Sequence, residues 1–386
     1  MRRSYKFRMR PTAGQHRRLA ACLHAHRDLY NMALRWRRGS WETDRAPVRY
    51  GEQSAALKDL RTSPAYAAWS FSSQQATLRR LDKAFAAFYR RCKTGEVPGY
   101  PRFKNEDRFD SVTWPSDGDG CRWKPEVGRV YLQGVGEVKV SMHRGVEGRV
   151  KTITAKREGR RWYLVLSCDE VPARPLAPTG KAVGVDVGIA SFLTTSDGEH
   201  VPNPRHGRRG AARLAQAQVV FASKKRGSAN RRAAKAVVAN RHRKVANQRR
   251  DFHHRTARRL VTDYDVVVVE DLAITNMSRS ASGTVENPGT NVAQKSGLNR
   301  SILDAGWGQF VNMLVAKAEE AGRRIVFTDP RHTSQRCHAC GHVAAGNRVT
   351  QARFCCGACG HTAHADENAA ANILRAGLAL PAADAA

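Results

Sequence analysis

The chain has 386 residues, which is too many for one ordinary hydrophobic core, so two or three domains are expected. Hydrophobic residues make up 41% of the chain and charged residues 26%, a composition that can fold. The 66 Lys and Arg residues against 34 Asp and Glu residues give a formal net charge of +32. Such self-repulsion opposes compaction and is untypical of a metabolic enzyme, whereas a polyanionic partner would relieve it.

The sequence contains no run of 18 apolar residues, so we expect no membrane-spanning helix. The first seven residues, Met1 to Phe7, lack the apolar segment of a secretory signal. A cytoplasmic protein that binds nucleic acid is therefore the first interpretation. A basic protein without any nucleic-acid role is the alternative.

In the first 178 residues, the spacing of the apolar residues changes twice. Residues 1–10 alternate between apolar and polar and predict a short strand, and helical patterns follow at about 12–37 and 72–91. From about 110 to 171 the period becomes two, which predicts a small antiparallel and barrel-like β unit. The Pro-rich segment 171–178 then reads as a domain boundary.

The second half alternates strands and helices. A strand at 182–188 is followed by a helical stretch in which residues 205–250 carry 15 Lys and Arg and no acidic residue. Four valines at 266–269 predict a fully buried strand. A helix near 304–321, a strand at 324–327 and a final helix near Asp366 complete an α/β domain with a mixed sheet.

Five of the nine cysteines lie between Cys337 and Cys359. Two Cys-x-x-Cys pairs, each followed by glycine, are separated by 15 residues, and this spacing predicts a structural Cys₄ zinc ribbon. The predicted zinc ligands are Cys337, Cys340, Cys356 and Cys359. Cys355 is treated as a spare thiol, and His361 and His364 remain alternative ligands. Two redox-active pairs are the other interpretation, but a thioredoxin-type βαβ context is lacking.

Three carboxylates stand in unusual places. Asp186 lies inside an apolar strand, Glu270 ends the valine strand, and Asp366 begins the last helix. A strand-central acid is costly unless a cation or hydrogen bonds hold it. Three such acids can converge at one edge of an RNase H-like sheet and hold two Mg²⁺ ions for phosphodiester cleavage. Taken singly, each acid could be a turn or cap residue, and Asp271 could replace Glu270.

The order of these features resembles the TnpB family of transposon-encoded RNA-guided nucleases. The matching segments are Gly184–Gly188, Val269–Leu272, Thr333–Gly341, Phe354–Gly360 and Asp366–Ile373, with weaker matches at Phe85–Arg91 and Tyr100–Lys104. The resemblance implies that Asp186, Glu270 and Asp366 are catalytic, and that the segment 273–300 is a lid over the active site. It also implies a guide RNA and a double-stranded target DNA with an adjacent motif as partners, with one protein chain per RNA.

The expected fold class is multidomain α+β, and the family resemblance implies how the chain divides into domains. We expect a small antiparallel β-barrel with an inserted helical lobe, then an RNase H-like (RuvC) α/β domain with an inserted zinc ribbon. The expected boundaries are 1–10 and 110–178 for the barrel, 11–109 for the helical recognition lobe, 179–332 and 361–376 for the nuclease domain, 333–360 for the ribbon and 377–386 for a disordered tail.

Nucleic-acid contacts are expected from two regions. The acid-free basic stretch suits a helical pair lying along phosphates. Its predicted contributors are Lys224, Lys225, Arg226, Arg231, Arg232, Lys235, Arg241, Arg243 and Lys244. The family resemblance implies that the N-terminal lobe reads the motif next to the target, and Gln75 and Arg79 are candidates for that role.

Three functions remain in competition. The first is an Mg²⁺-dependent, RNA-guided DNA endonuclease with a single RuvC-like site. The second is a guided DNA-binding regulator that does not cut, against which the complete set of three acids argues. The third is a strand-transfer transposase, against which the position of the ribbon before the third acid argues.

Overall fold

The structure is a computed structural model in which residues 1–380 are described. The chain divides into two compact units, Met1–Pro172 and Ala173–Ala386. Among residues 1–380, no helix combines the length and the apolar character that a membrane crossing requires.

The first unit is a sheet with four helices inserted after its first strand. Its elements in chain order are β1 (Arg3–Arg10), α1 (Ala13–Thr43), α2 (Tyr50–Leu60), α3 (Pro64–Ala67), α4 (Phe71–Lys93), β2 (Ser111–Trp114), β3 (Cys121–Lys124), β4 (Arg129–Leu132), β5 (Gly136–Ser141), β6 (Arg149–Glu158) and β7 (Arg161–Asp169). The strands form one antiparallel sheet in the order β2-β6-β7-β1-β5-β4-β3. The predicted antiparallel unit is present, but it is an open half-barrel, because β2 and β3 do not pair within this unit.

The strands and helices of the first unit pack around one hydrophobic core. Along β1, Tyr5, Phe7 and Met9 point inward while their neighbours are more exposed. Helices α1 and α4 bury Leu23 and Leu81 in the same hydrophobic cluster. The inserted helices, which we expected to form a separate lobe, therefore share their core with the sheet.

The second unit alternates strands and helices. Its elements are β8 (Ala182–Val187), β9 (Ser191–Thr195), β10 (His200–Pro202), α5 (His206–Ser223), α6 (Ala229–Asp263), β11 (Val266–Glu270), α7 (Ile274–Met277), α8 (Val292–Ala305), α9 (Trp307–Ala321), β12 (Arg324–Thr328), β13 (Arg353–Cys355), β14 (Thr362–His364) and α10 (Ala365–Leu378). Five strands form a mixed sheet in the order β10-β9-β8-β11-β12. Strands β8, β11 and β12 are parallel, and β9 is antiparallel to β8 and β10.

The middle of this sheet is buried on both faces. Val267, Val268 and Val269 of β11 are at most 2% exposed, so the predicted buried strand is confirmed. Val267 and Val269 pack in the larger cluster with α6 and α9, and Val268 packs in a smaller one with Ile373 of α10. The two faces of β11 are thus covered by different helices, as expected for a parallel strand.

Two glycines allow α10 to lie unusually close to the sheet. A Cβ atom at Gly184 of β8 would overlap the carbonyl oxygen of Ala370 and lie 2.6 Å from the amide nitrogen of Leu374. A Cβ atom at Gly377 would overlap the side chain of Val268. Neither position has room for a side chain, so backbone contact fixes the height of α10 above β8 and β11.

Three expectations need correction. Helix α10 continues to Leu378 because Gly377 packs on the sheet, so the predicted disordered tail 377–386 begins too early, and residues 381–386 lie outside the described part. The segment 273–300, which the resemblance implies to be a lid, is not a loop throughout, because α8 begins at Val292. The boundary between the units falls after Pro172, six residues before the expected position, because the backbone of Arg174 and Leu176 hydrogen-bonds to the end of α9.

We predict that Gly184→Ala destabilises the second unit, because the added methyl group pushes α10 away from β8. The expected loss is about 1–3 kcal/mol, the usual range for overpacking. Gly297→Ala in α8 is the matched control, since a Cβ atom there meets nothing within 4 Å and a helical Gly→Ala change is favourable. Urea unfolding of both variants measures the difference. Equal stability would show that α10 can shift freely.

Candidate active site and metal centre

Asp186 and Glu270 occupy equivalent positions on neighbouring parallel strands. Val185 of β8 pairs in register with Val269 of β11, so the next residues along the two strands, Asp186 and Glu270, lie side by side. Adjacent strands are about 4.8 Å apart, so these two carboxyl groups meet at the carboxyl edge of the sheet. Asp271 is exposed, whereas Glu270 is half-buried, so Glu270 is the acid that faces Asp186.

Asp366 reaches the same place from α10. Gly184, the contact point of α10 on β8, lies two residues before Asp186 on the same strand face. Ala370, its partner on α10, lies one helical turn after Asp366. From the contact between Gly184 and Ala370, Asp186 lies two strand residues away, about 6.6 Å, and Asp366 lies one helical turn away, about 5.4 Å. Asp186 and Asp366 therefore lie at similar distances from this contact. The close approach at Gly184 therefore sets the position of the third acid.

The electrostatics report the same convergence. Burial, the largest cause, acts together with the negative charges of Glu270 and Asp366 to raise the pKa of Asp186 to about 8, whereas Arg348 acts in the opposite direction. Burial also raises the pKa of Glu270, against a hydrogen bond from Thr333 that lowers it. The site therefore holds more negative charge than its surroundings compensate, which suits a hard divalent cation such as Mg²⁺.

Two residues that the sequence did not single out hold the acids. The Thr333 hydroxyl donates to Glu270 Oε1 at 2.6 Å, and Arg348 Nη2 donates to Asp366 Oδ1 at 2.9 Å. Among residues 1–380, the three carboxylates do not gather within 4.8 Å of one another, as the four predicted zinc ligands do. Thr333 begins the segment Thr333–Gly341 that resembles the TnpB family, whereas nothing in the sequence around Arg348 indicates a role for it.

The four predicted zinc ligands converge. Their sulfur atoms all lie within 4.8 Å of one another, with 3.8 Å between Cys337 Sγ and Cys359 Sγ and 3.6 Å between Cys340 Sγ and Cys356 Sγ. A tetrahedral ion with Zn–S bonds of about 2.3 Å requires sulfur separations of about 3.8 Å. The donor set and its spacing therefore fit Zn²⁺, and Cys355 lies outside the cluster.

Both Cys pairs have the same turn. The amide of Gly341 donates to the carbonyl of Cys337 and that of Gly360 to the carbonyl of Cys356, at 2.9 and 3.0 Å. Both glycines have positive φ, 82° and 71°, which explains their place after each pair. The backbone N–H of Cys359 lowers the pKa of the Cys356 thiol to about 6, which favours the thiolate that binds metal.

Buried asparagines of α10 tie the ribbon to the helix that carries Asp366. Asn368 Nδ2 donates to the carbonyl of Arg336 at 2.7 Å, and its Oδ1 accepts from the amide of His338 at 3.0 Å. Asn372 Nδ2 donates to the carbonyls of Thr333 and Arg336 at 3.0 and 2.6 Å. The two asparagines of the Asp366–Ile373 motif thus connect the zinc ligands to the acidic site.

A second network joins β9, β10 and α10. His200 Nε2 lies 2.9 Å from Glu367 Oε1, and its Nδ1 lies 3.2 Å from the hydroxyl of Thr194, the register partner of Asp186. The His364 ring lies edge-on to His200 and caps α10 by accepting from the amide of Asp366. His364 is therefore a helix cap and not a zinc ligand of the ribbon.

The basic stretch forms a helical hairpin of α5 and α6. Most of its predicted contributors are exposed: Lys224, Lys225, Arg226, Arg232, Lys235, Arg241 and Lys244, with Arg243 half-buried. Arg231 is engaged differently, because its Nη1 donates to the carbonyls of Phe221 and Lys224 at 3.0 and 2.7 Å and its guanidinium covers the Phe221 ring. Arg231 thus helps to close the hairpin, and its contact with nucleic acid stays a prediction.

The two N-terminal candidates lie on α4. Gln75 is half-buried and its Nε2 donates to the Ser54 hydroxyl at 3.1 Å. Arg79 is exposed, with its guanidinium 5.4 Å from the centre of the Tyr50 ring. Arg79 therefore retains donors that face solvent, whereas Gln75 already has a protein partner.

Three family models match successive parts of the chain. A model described as "Probable transposase" matches residues 164–281, one described as "Cas12f1-like, TNB domain" matches 307–373, and one described as "Helix-turn-helix domain" matches 1–46. The first covers the strands with Asp186 and Glu270, and the second covers the ribbon and Asp366. The two halves of the acidic site thus fall in separate family models.

Two curated relatives match over nearly the whole chain, and a third matches about half of it. The chain is 33% identical to "Putative RNA-guided DNA endonuclease InsQ" of Escherichia coli strain K12, over 98% of this chain and 92% of that protein. It is 33% identical to a "Putative RNA-guided DNA endonuclease" of Streptomyces pristinaespiralis, over 99% and 91%. It is 31% identical to "CRISPR-associated endodeoxyribonuclease Cas12f1" of Sulfoacidibacillus thermotolerans, over 55% of this chain and 50% of that protein.

These matches and the two-unit architecture define a class, the transposon-encoded and CRISPR-associated proteins that include InsQ and Cas12f1. Within that class, the chain belongs to the TnpB family.

We predict that the ribbon holds one Zn²⁺ ion through four sulfurs. Cys337→Ser should lose the ion and destabilise the protein, because structural zinc contributes directly to folding. Cys355→Ser is the matched control and should retain one ion per chain, since Cys355 lies outside the cluster. Inductively coupled plasma mass spectrometry measures the content. Loss of zinc from the Cys355 variant would refute this ligand set.

We predict that Asp186→Asn stabilises the metal-free protein at pH 8. Since the pKa of Asp186 is about 8 in the folded chain and 3.8 in a model compound, the folded state holds an extra proton between these values. Stability therefore falls as pH rises from 4 to 8, and the neutral Asn escapes this loss. Each kcal/mol corresponds to roughly 2–4 °C in Tm for a unit of this size.

Thermal scans at pH 5 and pH 8 measure this effect. The Tm advantage of the Asn variant should be larger at pH 8, and added Mg²⁺ should raise the Tm of the unsubstituted protein more than that of the variant. A Tm advantage that does not change with pH would contradict the raised pKa of Asp186.

Proposed function

We propose that this chain is an RNA-guided, Mg²⁺-dependent DNA endonuclease encoded by a transposable element. It cleaves target DNA next to a short adjacent motif through a single RuvC-like site formed by Asp186, Glu270 and Asp366. The observation that carries the proposal is the register of β8 and β11, which places Asp186 beside Glu270, together with the contact of α10 on Gly184 that brings Asp366 towards the same edge. The similarity to InsQ over nearly the whole chain supports the same function.

The RuvC assignment rests on strand order as well as on the acids. Numbered within the second unit, the five strands run 3-2-1-4-5, with the second antiparallel to the rest and the first, fourth and fifth parallel. One acid lies one residue before the end of the first strand, one ends the fourth, and one lies in the first turn of the helix packed on the first. This is the arrangement expected of an RNase H-like domain, and the ribbon before the third acid is its zinc-binding insertion.

Each protein group has a role in cleavage. Asp186, Glu270 and Asp366 would hold divalent ions, which supply an activated water and stabilise the leaving oxygen when bound. Thr333 orients Glu270 by donating to Oε1, which leaves Oε2 to face the ions. Arg348 neutralises Asp366 before ions bind, and its five donors suit a phosphate once the carboxylate has another partner.

The proposed partners are a guide RNA and a double-stranded target DNA. The guide pairs with the target, so the protein needs sequence-independent contacts along the backbone and a check of the adjacent motif. The exposed lysines and arginines of the α5–α6 hairpin supply the first. Arg79 of α4 remains the candidate for the second, with a solvent-facing guanidinium able to reach a base edge.

The test uses the protein purified with the RNA that it retains in the cell. That RNA is sequenced, a supercoiled plasmid carrying the matching target is supplied with Mg²⁺, and linear product is measured. Glu270→Gln should abolish cutting and keep RNA binding, whereas Asp271→Asn is a matched control and should cut normally. Cutting by Asp186→Ala or by Glu270→Gln would refute the acid assignment.

The same assay separates hydrolysis from strand transfer, to which the description of the matched transposase model points. Hydrolysis leaves free DNA ends, whereas strand transfer joins the cut end to another DNA. RNA binding without any DNA product from the unsubstituted protein would instead support a guided regulator that does not cut.

A further inference from the structure

A second cluster of metal-ligating side chains lies where β10 meets the start of α10. Within residues 1–380, two groups of three or more His, Cys, Asp or Glu side chains bring their ligand atoms within 4.8 Å of one another. One is the set of four ribbon cysteines, and the other is His200, His364 and Glu367. The second group shares no residue with the ribbon ligands or with the three carboxylates, so neither of those sites explains it.

The chemistry of this cluster suits a divalent transition metal. Imidazole nitrogens bind Zn²⁺, Ni²⁺, Cu²⁺ and Fe²⁺, whereas Mg²⁺ prefers ligands that are all oxygen. Three protein ligands also leave a position for water, as they do in catalytic zinc sites. The cluster therefore differs in metal preference from the acidic site, which offers carboxylate oxygens, and from the ribbon, which offers sulfur.

His200 is already oriented towards the carboxylate. Its Nε2 lies 2.9 Å from Glu367 Oε1, and its Nδ1 lies 3.2 Å from the hydroxyl of Thr194 and 3.4 Å from that of Ser191. When Nδ1 carries the proton and donates it to a hydroxyl, the lone pair of Nε2 is free for a metal, and metal-ligating histidines are ordinarily held in this way. Thr194 is buried, so the group that orients His200 is fixed by the core.

His364 supplies the second imidazole at the cost of a weak helix cap. Its ring lies edge-on to that of His200, with the ring centres 4.6 Å apart. Its Nδ1 accepts from the amide of Asp366 at 3.3 Å, which is long for such a hydrogen bond. A metal bound at Nε2 requires the proton on Nδ1 and therefore releases this cap. Because the hydrogen bond is long, little stability is lost with it.

The carboxylate of Glu367 is accessible to an ion. Among residues 1–380, His200 is its only basic partner, and the two side chains are 32% and 40% exposed. An incoming cation therefore replaces a single hydrogen bond between Glu367 and His200, and it reaches both groups from solvent.

We propose that His200, His364 and Glu367 bind one divalent transition-metal ion, separate from the ribbon and from the three carboxylates. The ion joins β10 to the first turn of α10, where His364 and Glu367 stand on either side of Asp366 along the chain. It thus fixes the start of α10 through a connection that neither the ribbon nor the contact at Gly184 supplies. The proposal does not depend on the proposed function, because it concerns binding alone.

The test uses Ni²⁺ as the probe, because Ni²⁺ binds imidazole and mass spectrometry distinguishes it from the zinc of the ribbon. The full chain, without an affinity tag and with its zinc retained, is dialysed against increasing Ni²⁺ in buffer with excess Mg²⁺. Inductively coupled plasma mass spectrometry should find one Ni²⁺ per chain and unchanged zinc. Glu367→Gln should weaken this binding roughly tenfold or more, since even the loss of a group that only orients a ligand costs about 10–100-fold.

His364→Asn separates metal binding from folding. Asn is among the best N-cap residues, so this variant keeps the start of α10 and loses only the imidazole. Its Tm without Ni²⁺ should match that of the parent, and its Ni²⁺ affinity should fall as in Glu367→Gln. Added Ni²⁺ should raise the Tm of the parent and leave that of both variants unchanged. His242→Gln is the matched control, because His242 is exposed on α6 and belongs to neither cluster.

Asp186→Asn is the control for the acidic site and should keep its Ni²⁺. Loss of Ni²⁺ from this variant would place the ion at the three carboxylates and overturn the proposal. An unchanged affinity in His364→Asn or Glu367→Gln would also overturn it, as would Ni²⁺ that enters only as zinc leaves, or a parent that binds none. DNA cutting is not measured, so a failure of the proposed nuclease function appears separately.

Discussion

The second unit depends on keeping three half-buried carboxylates near one another at one edge of its sheet. Burial of Asp186, with a smaller contribution from the negative charges of Glu270 and Asp366, raises its pKa, so an ionised Asp186 opposes folding. The sheet withstands it because its centre is a set of buried valines and because α10 is locked against β8 at a position without a side chain. Stability lost at the acids is therefore offset by packing one or two residues away. This is the pattern of a site shaped for a ligand that is positively charged.

The zinc ribbon belongs to this site mechanically as well as in sequence. Two buried asparagines of α10 donate hydrogen bonds to the carbonyl of Arg336, directly before the first Cys pair. The loop between the two Cys pairs supplies Arg348, which donates to Asp366. When the ribbon folds around its four sulfurs, it therefore positions both the start of α10 and the guanidinium of Arg348 beside Asp366. The ribbon's influence on the acidic site follows from these hydrogen bonds.

Much of this arrangement could be predicted from the sequence because its signals are local. The valine run predicted a buried strand and the Cys spacing predicted four converging sulfurs, and both are present, whereas the catalytic role of the three acids stays a prediction. Arg348 could not be predicted, since its partner is 18 residues away and depends on how the ribbon folds back. The role of Arg231 was also hidden, because a basic residue that caps carbonyls has the same local pattern as one that faces solvent. The end of α10 was placed too early, because the contact that extends it joins Gly377 to a strand more than 100 residues earlier.

In the first unit, the sequence predicted the strands and helices but not how they pack together. Period-two alternation identified its strands, but alternation does not reveal whether a sheet closes, and the pairing ends at β2 and β3. Likewise, the helical pattern of α1 and α4 indicated an apolar face without indicating its partner. That partner is the sheet itself, so a segment that appears separable along the chain is not separable in its core.

The ion pair between Arg348 and Asp366 has a consequence for how the site fills. A guanidinium tethered by the fold competes for the carboxylate at an effective concentration that does not change with the solution around it. A cation that bound Asp366 through Oδ1 would have to displace this guanidinium, so binding at that oxygen would require a higher free concentration than a bare carboxylate would need. The chain thus carries its own competitor for Asp366, and any cation bound at Oδ1 must overcome that competition.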